Sequence, residues 1–350
     1  MSPQPLLEPP ARGLTKEPEA FNLMAREARP EEIPDCLALY DSLGLPYSEP
    51  GRRVLPEMFR ALLAEDAMQI FLVQNRAAPR RSQVVSFGAT VFVTDAFCAL
   101  ARSSFSPYLG DQLARHYLAS KPVALNRKQI GRANARTGLN VMMCFSACRP
   151  DGLSRQHLLA VHEKQSEAFY HALGGYRVKE FVAELIGEEP FHRMLDAGAR
   201  LRRNYLHHFR KRRLPVPQSA RRPWLVGLTK EEAFAHPGAH VAGLFVCPAP
   251  RFHFNRSEQA LLLHALREET CEELATSLFI SPWTVKKRWQ AIYERVAKID
   301  HELLPPLRAG SLHATSRGLE RRRHLLNYLR QHLEELRPSE FRSATSVCRD

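Results

Sequence analysis

From Pro282 to Gln290 a helical rotation puts Trp283, Lys286, Lys287 and Gln290 on one side, with Thr284 at its edge and no acid in the stretch. On the other side Val285, Trp289, Ile292 and Val296 fall within roughly 60° of one another at about 100° per residue, an inward stripe. A basic, hydrogen-bonding face at a helix N-terminus has the chemistry to enter a major groove. Lysine can meet phosphates or guanine acceptors, and Gln290 an adenine edge. Thr284 and Arg288, with the basic run Arg210–Arg213, are candidates for backbone contacts. A solvated face on a packed helical bundle fits the same residues.

Other reactive side chains form weaker patterns. Cys144 and Cys148 sit in an apolar strand without paired histidines at metal spacing, so buried thiols are expected. His207 and His208 lie in a basic helical stretch and read as solvated. Tyr170 reads as a packed core tyrosine. The chain has no Walker loop, no Gly-x-Ser-x-Gly elbow and no His-Glu-x-x-His motif. The acids between Glu31 and Glu49 have the spacing of a solvated helix and loop, not of a phospho-accepting cluster.

The elements that must hold these residues are legible from caps and periodicity. Asn255 with Glu258, and Thr270 with Glu273, are capping-box pairs that open two helices. Ser281 is a favoured N-cap, and Pro282 suits the first position of the third helix. Two helices joined by a tight turn, with a third in front, make a helix-turn-helix arrangement. Upstream, strands are expected at 22–25, 70–74, 84–94, 139–147 and 176–186, and helices at 30–43, 54–64, 113–119, 127–135 and 155–173. A helix over 190–210 runs into a basic, Pro-punctuated linker, and short strand-like pieces follow at 224–228 and 241–246. A last helix over 316–336 carries Leu325, Leu329, Leu333 and Leu336 on one side, for docking on the same domain or for dimerisation.

The 350 residues suggest two or three domains, and 44% hydrophobic with 25% charged residues excludes wholesale disorder. No window approaches the roughly 18 apolar residues of a membrane span, so a cytoplasmic protein is expected. Seven scattered cysteines fit reduced thiols. The net charge of +13 favours a polyanion partner, with basic peaks over 101–150 and 201–250 and an acidic first fifty residues.

Over residues 252–297 the chain resembles the LuxR-type helix-turn-helix of bacterial transcription regulators. The carrying residues are Glu273-Leu274-Ala275, Leu278, Ile280-Ser281-Pro282, Thr284-Val285-Lys286, Ile292-Tyr293 and Arg295-Val296. The resemblance implies that Lys286, Lys287 and Gln290 face the groove and that Thr284 meets the phosphate backbone. Trp283 stands where that family has a small polar residue.

The N-terminal half resembles the GCN5-related acyltransferase fold. Ala25–Leu43 looks like its opening strand and helix, and Ile70–Phe92 like its second and third strands. Ala168–Gly174 followed by Tyr176-Arg177 looks like its last helix. That family holds the acyl-coenzyme A pyrophosphate on backbone amides of a Gly-rich loop. The nearest string here is Lys128-Gln129-Ile130-Gly131-Arg132-Ala133.

The expectation is therefore an α+β chain. A Pro-rich tail (1–20) precedes a mixed α/β acyltransferase-like domain (21–187), a helix and basic linker (188–250), an all-α LuxR-type domain (251–300) and a C-terminal helix with tail (301–350). Its expected function is a sequence-specific DNA-binding transcription regulator, not an enzyme, with Trp283, Thr284, Lys286, Lys287, Arg288 and Gln290 on DNA. Double-stranded DNA bound as a homodimer and a small-molecule effector are the expected partners. No cofactor, metal or membrane is expected. The alternative is a GCN5-related N-acyltransferase carrying an accessory helix-turn-helix.

Overall fold

The structure is a computed structural model and describes residues 21–79, 83–103, 106–149, 153–236, 238–267, 269–305 and 314–340. The expected tails at 1–20 and 341–350, with Cys348, lie outside the described residues.

The first unit opens with β1 (Leu23–Glu27), α1 (Ile33–Asp41), α2 (Glu49–Ala64), β2 (Met68–Asn75) and β3 (Val84–Val93). Next come α3 (Asp95–Ser103), α4 (Leu109–Leu118), α5 (Arg127–Ala135), β4 (Leu139–Cys148), α6 (Arg155–Leu173) and β5 (Val178–Ile186). It closes with α7 (Glu188–Asp196), β6 (Arg200–Asn204), α8 (Leu206–Lys211), β7 (Pro223–Thr229) and α9 (Lys230–Ala235). One seven-stranded sheet runs β1-β2-β3-β4-β5-β7-β6. Every neighbouring pair is antiparallel except β4 and β5, which are parallel. A parallel pair needs a long crossover, and α6 supplies it.

Every residue of β3 is buried, as suits a central strand covered on both faces. Phe71 on β2 meets Phe169 on α6 on one face. On the other, Phe145 on β4 packs edge-on against Phe59 of α2 and Tyr40 of α1. Local signals set the helix ends. The Ser154 hydroxyl accepts from the His157 amide at the start of α6, and Asn126 with Gln129 forms a reciprocal capping box at the start of α5.

The second unit comprises α10 (Arg256–Ala265), α11 (Cys271–Ser277), α12 (Pro282–Ile299) and α13 (Ala314–Gln331). It has its own core, built around Phe252, Leu261, Leu274, Trp289, Ile292 and Leu325. Asn255–Glu258 and Thr270–Glu273 form capping boxes, and the Ser281 hydroxyl caps α12 through the Thr284 amide.

Several expectations are corrected. Residues 190–210 form α7, β6 and α8 instead of one helix, because Gly198 at φ +104° ends α7 and its amide closes onto the Leu195 carbonyl. The Arg-rich segment 200–204 then pairs with β7 as an edge strand. Residues 188–250 are consequently not a linker between halves, since β6 and β7 complete the sheet. Residues 240–245 are 3-10 helix where a strand was expected, α3 was not anticipated, and the last helix ends at Gln331.

The units meet through the segment 333–340. The buried Gln259 side chain donates to the Glu335 and Arg337 carbonyls, while Asn134 of α5 donates to the Pro338 carbonyl. Among the described residues no helix is long and apolar enough to cross a membrane.

Candidate functional site

The sheet opens at its one parallel pair. The β4–β5 ladder runs from Leu139↔Val178 to Met143↔Ala183 and stops, although β4 continues to Cys148 and β5 to Ile186. A bulge on β4 lies at that point. Ala89 of β3 faces Phe145 and Thr90 faces Met143, leaving Cys144 as the extra residue. A bulge bends its strand and raises the local twist, so β4 turns away from β5 and a wedge opens between them. Crevices beyond the carboxyl ends of parallel strands are where open α/β sheets take ligands.

The wedge is a cavity of about 660 Å³. One wall is the face of α6 carrying Leu158, His162, Gln165 and Tyr170; another is the end of β4, Ser146 to Cys148. Glu189 and Arg193 reach in from α7. Leu43, from the segment after α1, and Ala220 line the far end. Helix α1 packs on the face of the sheet opposite α6, so the cavity is bounded from both faces.

His162 is half-buried, with Nε2 4.0 Å from a Glu189 oxygen. Burial and then the Arg193 guanidinium hold its pKa below the ordinary 6.5. Arg193 is itself paired with Glu189 at 2.8 Å. The Tyr170 hydroxyl donates to the His240 carbonyl at 3.1 Å, and burial lifts its pKa to about 12. Burial likewise raises the Cys148 thiol above its usual range. Neither group is a ready nucleophile at neutral pH.

Behind the wedge, on the α4 side of β5, lies the fully buried Glu184. Its carboxylate accepts the Tyr108 and Leu109 amides at 2.8 and 2.6 Å, yet burial raises its pKa to about 7. Tyr40 donates its hydroxyl to the Cys144 carbonyl at 3.1 Å, pinning the bulge residue from that face.

Helix α6, whose Leu158 lines the cavity, begins after Ser154 with Arg155, Gln156 and His157 and has no acid in its first turn. Amides at such a helix start favour an anion.

The sequence-expected residues lie elsewhere. Trp283, Lys286, Lys287 and Gln290 are exposed on α12, with Thr284 and Arg288 half-buried. Gln290 donates to Glu294, Lys287 sits 4.9 Å over the Trp283 ring, and the Thr284 hydroxyl pairs with Ser281. The Lys128–Ala133 string is not at the wedge. It forms α5 under the C-terminal segment, where the Gly131 carbonyl accepts the Glu340 amide and Arg132 pairs with Glu340. Tyr170 alone, of the residues weighed for chemistry beyond Cys148, lines the cavity. His162, Glu189 and Arg193 were missed; the signal that could have found them is the Gly187-Glu188-Glu189 turn directly after β5.

No family model matches the chain, and no curated protein matches it. Solved structures do. The spermidine/spermine N-acetyltransferase SpeG of Vibrio cholerae, in mutant forms, aligns at 8% identity over 61% of this chain and 96% of its own, with a TM-score of 0.33. An N-acetyltransferase of Staphylococcus aureus Mu50 aligns at 12% identity over 59% and 98%, TM-score 0.31. The C-terminal condensation domain of Ebony, in complex with beta-alanyl-dopamine, aligns at 10% over 60% and 100%, TM-score 0.36. The N-terminal unit is a mixed α/β fold built on one seven-stranded sheet.

The expectation of a DNA-binding transcription regulator without enzyme activity is corrected. So is the expectation of double-stranded DNA as partner to a homodimer. The solved structures similar to the chain include acetyltransferases, SpeG also in complex with CoA and spermine, and none of those reported is a DNA-binding regulator. The cavity lies in the N-terminal unit, remote in sequence from Trp283–Gln290.

Proposed function

We propose that the N-terminal unit is an N-acyltransferase that takes an acyl-coenzyme A thioester in the wedge and passes its acyl group to an amine. The observation that carries this reading is the parting of β4 from β5 at the Cys144 bulge. Beyond Met143 no strand pairs with β4 on its β5 side, among the described residues. That edge suits an extended molecule with its own amides, such as a pantetheine arm, by the logic of strand addition. The start of α6 at Ser154 suits the phosphates.

A cavity of about 660 Å³ falls in the range that encloses a small-molecule ligand, enough for the arm and acyl end with the nucleotide at the mouth. Residues from both faces of the sheet bound it, which suits two reactants meeting within it. The thioester supplies the activated acyl carbon. The chain's residues orient it along β4, hold the amine beside it and keep bulk water out. Holding the two reactants together is worth up to roughly 7–11 kcal/mol of barrier.

For the second unit the reading concerns fold alone: residues 251–300 are a LuxR-type helix-turn-helix, supported by the two capping boxes and the Ser281 turn. No ligand is assigned to its α12 face.

Calorimetric titration of coenzyme A tests the proposal. Ser166 is exposed on α6 and lines the cavity, so Ser166→Trp fills the wedge without entering the core. Binding to the wild type, lost in Ser166→Trp, is the expected result. Absence of binding to the wild type, or equal affinity in both, overturns the reading.

A further inference from the structure

We infer that His162 is the proton acceptor of this site, the side chain that takes the proton from the incoming ammonium group before the amine attacks. This inference rests on the acyltransferase reading above. Three features carry it. First, His162 is the one imidazole on the α6 wall of the cavity within reach of the β4 end, since His240 lies beyond Tyr170 on the far segment. Secondly, burial and then the Arg193 charge disfavour a proton on its ring, against Glu189 and Gln165, which favour one. On α7, Arg193 opposes a second positive charge, while Glu189 is engaged by Arg193 at 2.8 Å and stands off His162 at 4.0 Å. From β4 the Cys148 thiol faces the same space and stays protonated. Thirdly, the neighbouring Gln165 is held by its side-chain donation to the Phe87 carbonyl, which fixes the turn of α6 that presents His162.

A general base must be able to shed its proton near the working pH, and a half-buried neutral imidazole does so. Glu184 is the competing base. Its carboxylate, however, is buried on the α4 side of β5, accepts the Tyr108 and Leu109 amides and does not line the cavity.

The step balances. The ammonium gives one proton to a His162 ring nitrogen, which releases it to solvent. The freed nitrogen pair forms the C–N bond at the thioester carbon. The C–S bond then breaks with its pair going to sulfur, and the second nitrogen proton ends on the thiol. No oxidant or metal is required.

The test uses the full chain with acetyl-coenzyme A and three amine probes: spermidine, glycine and 2-phenylethylamine. Wild type and His162→Gln are compared for coenzyme A affinity and for thiol release across pH 5 to 9. The expected result is coenzyme A affinity within about twofold in both proteins and transfer by the wild type. Its kcat/KM should rise with pH through a pKa below 6.5. In His162→Gln, kcat at neutral pH should fall by about a hundredfold and that limb should vanish. Unchanged rate and limb in the variant overturn the inference and leave the acyltransferase reading standing. Coenzyme A binding with transfer to none of the amines does the same. A wild type that binds no coenzyme A sinks the reading itself, and His162 with it.

Discussion

Arg337 lies across the ring of Tyr176, its guanidinium carbon 4.7 Å from the ring centroid, and closes the C-terminus of the helix that walls the wedge. Its Nε donates to the Gly174 carbonyl at 2.8 Å and a terminal nitrogen donates to the His171 and Ala172 carbonyls at 3.1 Å each. They lie at the C-terminal end of α6 and its cap, where carbonyls run out of helical partners, and the His171 carbonyl also accepts the Gly174 amide. A cation placed there also meets the negative end of the helix dipole. A residue near the C-terminal end of the chain thereby fixes the helix that carries His162.

Removing that fork takes away three hydrogen bonds, among them one to the buried Ala172 carbonyl. Arg337→Met is expected to lower the unfolding free energy by about 2–4 kcal/mol in urea titrations. Arg337→Lys should recover less than half of the loss, because a point charge cannot span three carbonyls as a planar guanidinium does. Full recovery by lysine would show that charge alone matters.

Gly175 sits at φ +80°, and a Cβ there would meet the backbone of Leu333 and Glu334. Gly175→Ala therefore combines backbone strain of about 1–2 kcal/mol with a clash that pushes the 333–340 segment outward. The measurable consequence is faster proteolytic cleavage within 333–340, with cleavage elsewhere unchanged. Protection equal to the wild type would mean that the segment tolerates the shift.

Glu184 makes stability fall as pH rises. Its carboxyl titrates near 4.5 in the unfolded chain and near 7 in the fold, where burial disfavours the charge. Between those values the native state holds a proton that the unfolded state lacks, so the contribution is whole below pH 4.5 and lost on passing pH 7. The loss amounts to about 3 kcal/mol. Unfolding free energies of wild type and Glu184→Gln between pH 5 and 8 isolate it. The wild type should decline relative to the variant, and parallel curves would refute the assignment.

Trp289 fills the second core, but among the described residues its indole nitrogen has no hydrogen-bond partner. The Arg322 guanidinium rests 5.1 Å over its ring. Trp289→Phe keeps a ring for that contact and loses no hydrogen bond, so it should cost under about 1.5 kcal/mol. Trp289→Ala should cost about 3–5 kcal/mol. Thermal denaturation of the two variants separates these outcomes.

How far the elements could be read depends on where their determinants lie. Helices α5 and α6 are read to the residue, because Asn126, Ser154 and Gly174 act on amides and carbonyls within four residues of themselves. Segment 190–210 is misread, because Arg200–Asn204 has no alternating polarity and becomes a strand only through pairing with β7, some twenty residues on. Leu139–Ala147 reads as one apolar strand; nothing in its composition marks Cys144 as the extra residue. The Gly-containing string at 128–133 resembles a phosphate loop, yet its real neighbours are Ser339 and Glu340, two hundred positions away.

The residue order settled what acts over a turn or two: the caps, the apolar stripe of α12 and the buried strands. Those depend on periodicity and on hydrogen bonds between near neighbours, which any local window contains. The functional site needed the assembled sheet. The wedge exists because β4 keeps its register with β3 past a bulge while losing its pairing with β5. His162, Glu189 and Arg193 converge because α6 and α7 flank that opening. Which strands pair, and where a pairing ends, is a long-range balance of packing and register that no local pattern encodes.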